Sequence, residues 1–170
     1  MSAKVLPAHV TAFNDSLTHL GFDGDPECVG TASRWLSVLE AYRPGQPIPA
    51  FETFVAPSCD EVRLRRLPFH SLCAHHLLPF FGEAEIVYGS VGRIAGLGAI
   101  ARALQHFSRQ PQLQERLGAQ LADYLHAQLG GPVSVRLRAR QLCMEMRGAE
   151  STGEIETFAR RGGATRDGAF

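Results

Sequence analysis

"PQLQERLGAQLADYLHAQLGGPVSVRLRA", residues 111–139, contains a change of period that decides the fold. Leu113, Leu117, Leu121, Leu125 and Leu129 recur at four-residue spacing, which gathers them into one apolar stripe on a helix. Pro111 suits a first helical turn, and Gly130 and Gly131 stop the pattern. Directly afterwards "VSVRLRA" alternates apolar and polar residues, the period of a half-buried strand.

Before this stretch, residues 97–108 read as a helix through Leu97, Ile100, Ala101, Leu104 and Phe107. Upstream, residues 83–88 read as a strand. Two further strand-like runs, "FETFVA" and "EVRLRRLPF", are joined by "PSCD", and the second alternates only imperfectly. Downstream, residues 144–158 predict a strand with breaks. Near the N-terminus, residues 8–20 predict one helix and residues 25–42 a second, with Asp25 as cap and Pro26 in the first turn. "RPGQPIPA" is a breaker-rich linker. The chain thus divides into an N-terminal helical segment with linker (1–50), a domain over 51–159, and a tail over 160–170 whose Gly and Arg content predicts a loose end. The order strand-strand-helix-helix-strand-strand predicts an α+β fold, an antiparallel sheet with two helices on one face.

Composition narrows the function classes. The chain has 170 residues, 45 % apolar and 20 % charged, as in a globular domain. Lys+Arg and Asp+Glu are both 17, which argues against a generic nucleic-acid binder. The only lysine is Lys4. No apolar run approaches a membrane span, and the N-terminus lacks the apolar core of a secretory signal. The expected setting is the reducing cytoplasm, where Cys28, Cys59, Cys73 and Cys143 serve as free thiols or metal ligands. Cys28 reads as helix packing and Cys59 as a strand-end thiol.

"SLCAHHLLPF", residues 71–80, concentrates the chemistry. Cys73 and His76 form a C-x-x-H pair, and Cys143, just past the alternating strand, is the candidate third ligand. A Cys₂His set that leaves a fourth position for water would be a catalytic zinc arrangement. Taken singly, each residue has an ordinary reading. C-x-x-H is a free thiol beside a packed or surface histidine, Cys143 a small buried apolar residue, His75 a loop residue, and Gln114 with Glu115 a solvated helix face.

Taken together, the motifs resemble one family. "FHSLCAHHLLPFFGEAEIVY" is similar to the zinc-loop signature S-x-C-E-H-H-x-x-P-F-x-G of GTP cyclohydrolase I. "RIAGLGAIAR" resembles V-I-G-L-S-K-x-x-R, "RQPQLQERL" resembles R-x-Q-x-Q-E-R-L, and "RARQLCMEMRG" resembles A-x-H-x-C-M-x-x-R-G. "DPECVGTASRWLSVLEAY" looks like a diverged copy of the family's N-terminal helix. The resemblance implies the tunnelling fold and a homo-oligomer, a pentameric ring or a decamer of two rings. It implies zinc on Cys73, His76 and Cys143, with His75 handling protons beside it. It implies Glu115 with Gln114 as the guanine anchor, Arg147 near the metal cysteine, and Arg34 and Arg102 for phosphate. The activity implied is a cyclohydrolase that opens the imidazole ring of a guanine-type purine, by attack of zinc-bound water at C8.

Four positions depart from the family pattern. Gln141 stands where the family has a histidine, and an amide cannot deliver a proton near neutral pH. Ala74 replaces a glutamate, Gly98 and Ala99 replace Ser-Lys, and Ser37 replaces a second lysine. The zinc and guanine ends are retained while both phosphate lysines are lost. Three readings follow: a zinc hydrolase of the same fold that acts on another guanine-like substrate or stops after opening the imidazole ring of GTP or a related guanine compound, a full GTP cyclohydrolase I making dihydroneopterin triphosphate, or a non-catalytic ring that binds a pterin or guanine or regulates a paralogue.

Overall fold

The computed structural model describes residues 6–57 and 59–163. It divides into two compact units, Met1–Arg43 and Pro44–Phe170.

In the N-terminal unit, α1 spans Pro7–His19 and α2 spans Thr31–Ala41. The continuous second helix expected over 25–42 is broken. Pro26–Cys28 forms a single 3₁₀ turn, capped as anticipated by Asp25, whose carboxylate accepts from Glu27 N at 2.9 Å. Gly30 then adopts φ 79°, a left-handed conformation that favours glycine and resets the chain before α2.

The C-terminal unit carries the alternating patterns. Its strands are β1 (Thr53–Val55), β2 (Glu61–Cys73), β3 (Pro79–Gly89), β4 (Arg93–Ala95), β5 (Pro111–Gln112), β6 (Val133–Gln141) and β7 (Glu154–Arg161). The helices are α3 (Leu97–Ser108), α4 (Gln114–Leu129) and the single turn α5 (Leu142–Glu145). Five strands form one sheet in the order β5-β2-β3-β6-β7, antiparallel except for the short parallel β5–β2 pair. β1 pairs with β4 in a separate ribbon and not with β2.

Strand alternation sends Ile86 and Tyr88 of β3, and Val135 and Leu137 of β6, to one face of the sheet. There they meet Ile100 and Leu104 of α3 and Leu117, Leu121 and Leu125 of α4. The Tyr88 hydroxyl, buried with them, accepts from Ala95 N at 3.0 Å. The opposite face carries the intervening charges. The Glu85 carboxylate accepts from Arg65 at 3.2 Å and Arg136 at 2.5 Å, and Arg138 pairs with Glu156 at 3.1 Å.

Three boundaries differ from the sequence reading. Pro111 and Gln112 are a strand, and α4 begins only at Gln114. Residues 144–158 are not one strand, since α5 occupies the beginning and β7 starts at Glu154. β7 also runs to Arg161, so Arg160 and Arg161 belong to the sheet and not to a tail. Residues 164–170 lie outside the described residues. No described helix is long and apolar enough to cross a membrane.

Gly82 of β3 lies opposite Ala139 of β6, and a β-carbon there would sit 1.9 Å from the Arg138 carbonyl oxygen. The clash is with backbone, which cannot move without opening the ladder. Gly82→Ala is therefore expected to destabilise the fold by about 2–3 kcal/mol, read from a denaturant melt.

Candidate metal centre

The ladder itself assembles the cluster. β2 ends on Cys73, and the chain reverses at once: Cys73 N donates to Leu78 O, and Leu77 N donates to Cys73 O, both at 2.8 Å. Leu77 takes φ 53° to complete the turn. This reversal folds His76 back over Cys73, leaving Cys73 Sγ and His76 Nδ1 3.8 Å apart. β3 follows, and its Phe80 lies opposite Gln141, the last residue of β6. α5 begins immediately after it and carries Cys143 to the same end of the sheet. One ligand atom from each of Cys73, His76 and Cys143 lies within 4.8 Å of the others.

The set fits zinc. Bonds of about 2.0–2.3 Å in a tetrahedron put ligand atoms roughly 3.3–3.8 Å apart, so the cluster needs only a small contraction. Burial pushes the Cys143 thiol above its ordinary pKa, and the neighbouring Cys73 pushes it further. Two thiolates side by side are costly without a cation, and two sulfurs with one imidazole favour zinc over magnesium. Arg147 acts in the opposite sense on Cys143, favouring its thiolate. This is the only such group of three among the described residues.

His75 is exposed beside the cluster, its ring edge-to-face with His76 at 6.1 Å between centroids. The start of α4 is held against the same turn. Cys73 pairs with Gln112 of β5, and Ala74 N donates to Gln112 O at 2.9 Å. Sequence alone does not single out Gln112. Its one signal is its place inside the R-x-Q-x-Q-E-R-L resemblance. Glu115 is exposed in the first turn of α4. Gln114 is 3 % exposed, and its amide donates to Ile155 O at 2.8 Å and Leu137 O at 3.1 Å. Gln141 in turn donates from Nε2 to Gln114 Oε1 at 2.8 Å.

Arg102 and Arg34 each have partners of their own. Arg102 on α3 forms an ion pair with Glu52 at 2.5 Å. Arg34 belongs to the N-terminal unit, where its guanidinium donates to Val29 O at 2.9 Å and Glu27 O at 3.2 Å. Ser37 donates to Ser33 O within α2, and Ala99 is 2 % exposed in the core.

An antiparallel sheet backed by two helices, with a Cys-His-Cys cluster at one end, defines a tunnelling-fold protein equipped to hold a metal. The fold recurs in the crystal structure of the archaeosine synthase QueF-Like in the apo form, with a TM-score of 0.51 at 19 % identity over 63 % of this chain and 98 % of that one. The chain belongs to the GTP cyclohydrolase I family, whose profile matches residues 11–169. It is 38 % identical over 150 residues to GTP cyclohydrolase 1 of Corynebacterium glutamicum, covering 82 % of this chain and 76 % of the relative. It is 37 % identical over 147 residues to GTP cyclohydrolase 1 of Hyperthermus butylicus, covering 84 % and 76 %. Membership makes it an enzyme of the cyclohydrolase type.

Proposed function

We propose that this chain opens the imidazole ring of a guanine-type purine, GTP or a close relative, at a zinc held by Cys73, His76 and Cys143. The observation that carries the reading is the convergence of those three side chains beside the start of α4, where Glu115 stands. Zinc held there would supply a Lewis acid for the addition of water at C8. His75 is exposed and adjacent, so its ring moves protons to and from the reacting atoms. The Glu115 carboxylate accepts from the ring N–H and exocyclic amine of guanine, a directional charge-assisted pair. Arg147 adds positive charge on the Cys143 side.

The phosphate end is weaker. Positions 37 and 99 hold Ser and Ala, and the Arg34 and Arg102 guanidinium groups already have protein partners. GTP, GMP and guanosine are therefore expected to differ in kcat/KM by no more than about 100-fold, the worth of one or two charge-assisted hydrogen bonds. The check is loss of purine absorbance with zinc-loaded protein. A preference for GTP of several further orders of magnitude would contradict the reading. Family membership favours a second reading, the complete reaction to dihydroneopterin triphosphate, which fluorescent pterin from GTP would reveal.

The protein acts as a homo-oligomer in this proposal. Among the described residues β7 pairs only with β6, and most of β2 only with β3, which leaves two sheet edges that further copies would pair.

A further inference from the structure

Resting on the guanine-type reading, we infer that Gln141 is a specificity-determining residue that presents a hydrogen-bond acceptor, its Oε1, to an N–H or O–H of the bound substrate. The main chain sets this polarity. Leu137 O and Ile155 O can only accept, so the Gln114 amide must turn its NH₂ group toward them. Thr157 Oγ1, 3.3 Å away, lies on the same side. Gln114 Oε1 is thereby directed at Gln141, which must answer with its own NH₂ group at 2.8 Å. The remaining atom, Gln141 Oε1, meets no donor among the described residues. It is also absent from the sealed, unpartnered polar atoms of the structure, although Gln141 as a whole is only 8 % exposed. A nearly buried side chain thus keeps one polar atom open, and that atom is always an acceptor.

Gln141 lies two residues before Cys143, at the end of β6 that carries the metal cluster. A ligand that offers hydrogen there is favoured, and one that offers a lone pair is rejected because two acceptors would face each other. Gln114 acts through Gln141 and is a positioning residue.

The test compares the wild type with Gln141→Met, Gln114→Met, the double variant and Gln141→His, all zinc-loaded. Guanosine and GTP binding is read by calorimetry, kcat and KM by purine absorbance, with zinc content and Tm alongside. Gln141→Met is expected to lose about 10–100-fold in kcat/KM and to weaken guanosine binding, with zinc retained. Gln141→His, whose ring can donate to Gln114 and accept with its other nitrogen, is expected to recover most of that loss. The double variant is expected to lose no more kcat/KM than Gln141→Met alone. Additive losses in Tm with unchanged binding and kcat/KM would overturn the inference and leave both glutamines structural. No guanine binding by the wild type would overturn the substrate reading, and this inference with it.

Discussion

Replacing Cys143 by serine is expected to lower bound zinc from about one per chain to a small fraction and to cut kcat/KM by at least about 10³-fold. Serine keeps the volume of cysteine, but its hydroxyl does not ionise near neutral pH and binds zinc poorly. Cys73 and His76 alone would remain, two ligands on one turn. Cys143 is half-buried in the single turn α5, outside the sheet ladder, so the fold should survive and the effect should be read as metal loss. Metal analysis and a thermal melt on the same sample separate the two. In the wild type, zinc affinity should fall as pH is lowered. The Cys143 thiol, already held above its ordinary pKa by burial and by Cys73, must give up its proton to bind. Full zinc occupancy in Cys143→Ser would show that the third ligand lies elsewhere.

His75→Ala is the second large effect, and its signature is the reverse. The ring is exposed and outside the Cys73–His76–Cys143 set, so zinc content and Tm should stay near wild type. Loss of a positioned acid–base group is expected to lower kcat by about 10²–10⁴-fold. A fall in zinc content that parallels the fall in rate would make His75 a ligand. An unchanged kcat would remove it from the chemistry.

The fold was legible wherever one face of an element is buried. Leu117, Leu121, Leu125 and Leu129 of α4 and the alternation of β6 form patterns long enough to declare their period, and both elements fall within the stretches the sequence marks, although α4 starts only at Gln114. Pro111 read as a helix start because a proline suits that position, yet it pairs with β2 in a two-residue strand too short to show any period. The pairing of β1 with β4 is a tertiary choice, and no local pattern in "FETFVA" announces it. Cys73, His76 and Cys143 could be singled out from spacing and resemblance because each is a chemically distinctive residue, and the structure brings the three together. Gln114 shows the limit of that approach. Composition makes it part of a polar helix face, whereas the first turn of α4 lies against β6 and β7 and spends its amide on their carbonyls. The polarity of Gln141 was equally invisible, since it depends on partners contributed by α4, β6 and β7 together.

Whether the Cys73–His76–Cys143 centre opens a guanine ring is decided by a single-turnover reaction of GTP with the zinc-loaded chain and with the same chain after chelation. The product is followed by purine absorbance and identified by mass spectrometry. Loss of purine absorbance and a water-added or formate-released product are expected with the loaded protein alone. Intact GTP with the loaded protein, or equal turnover after chelation, would contradict a zinc-dependent ring opening at this centre.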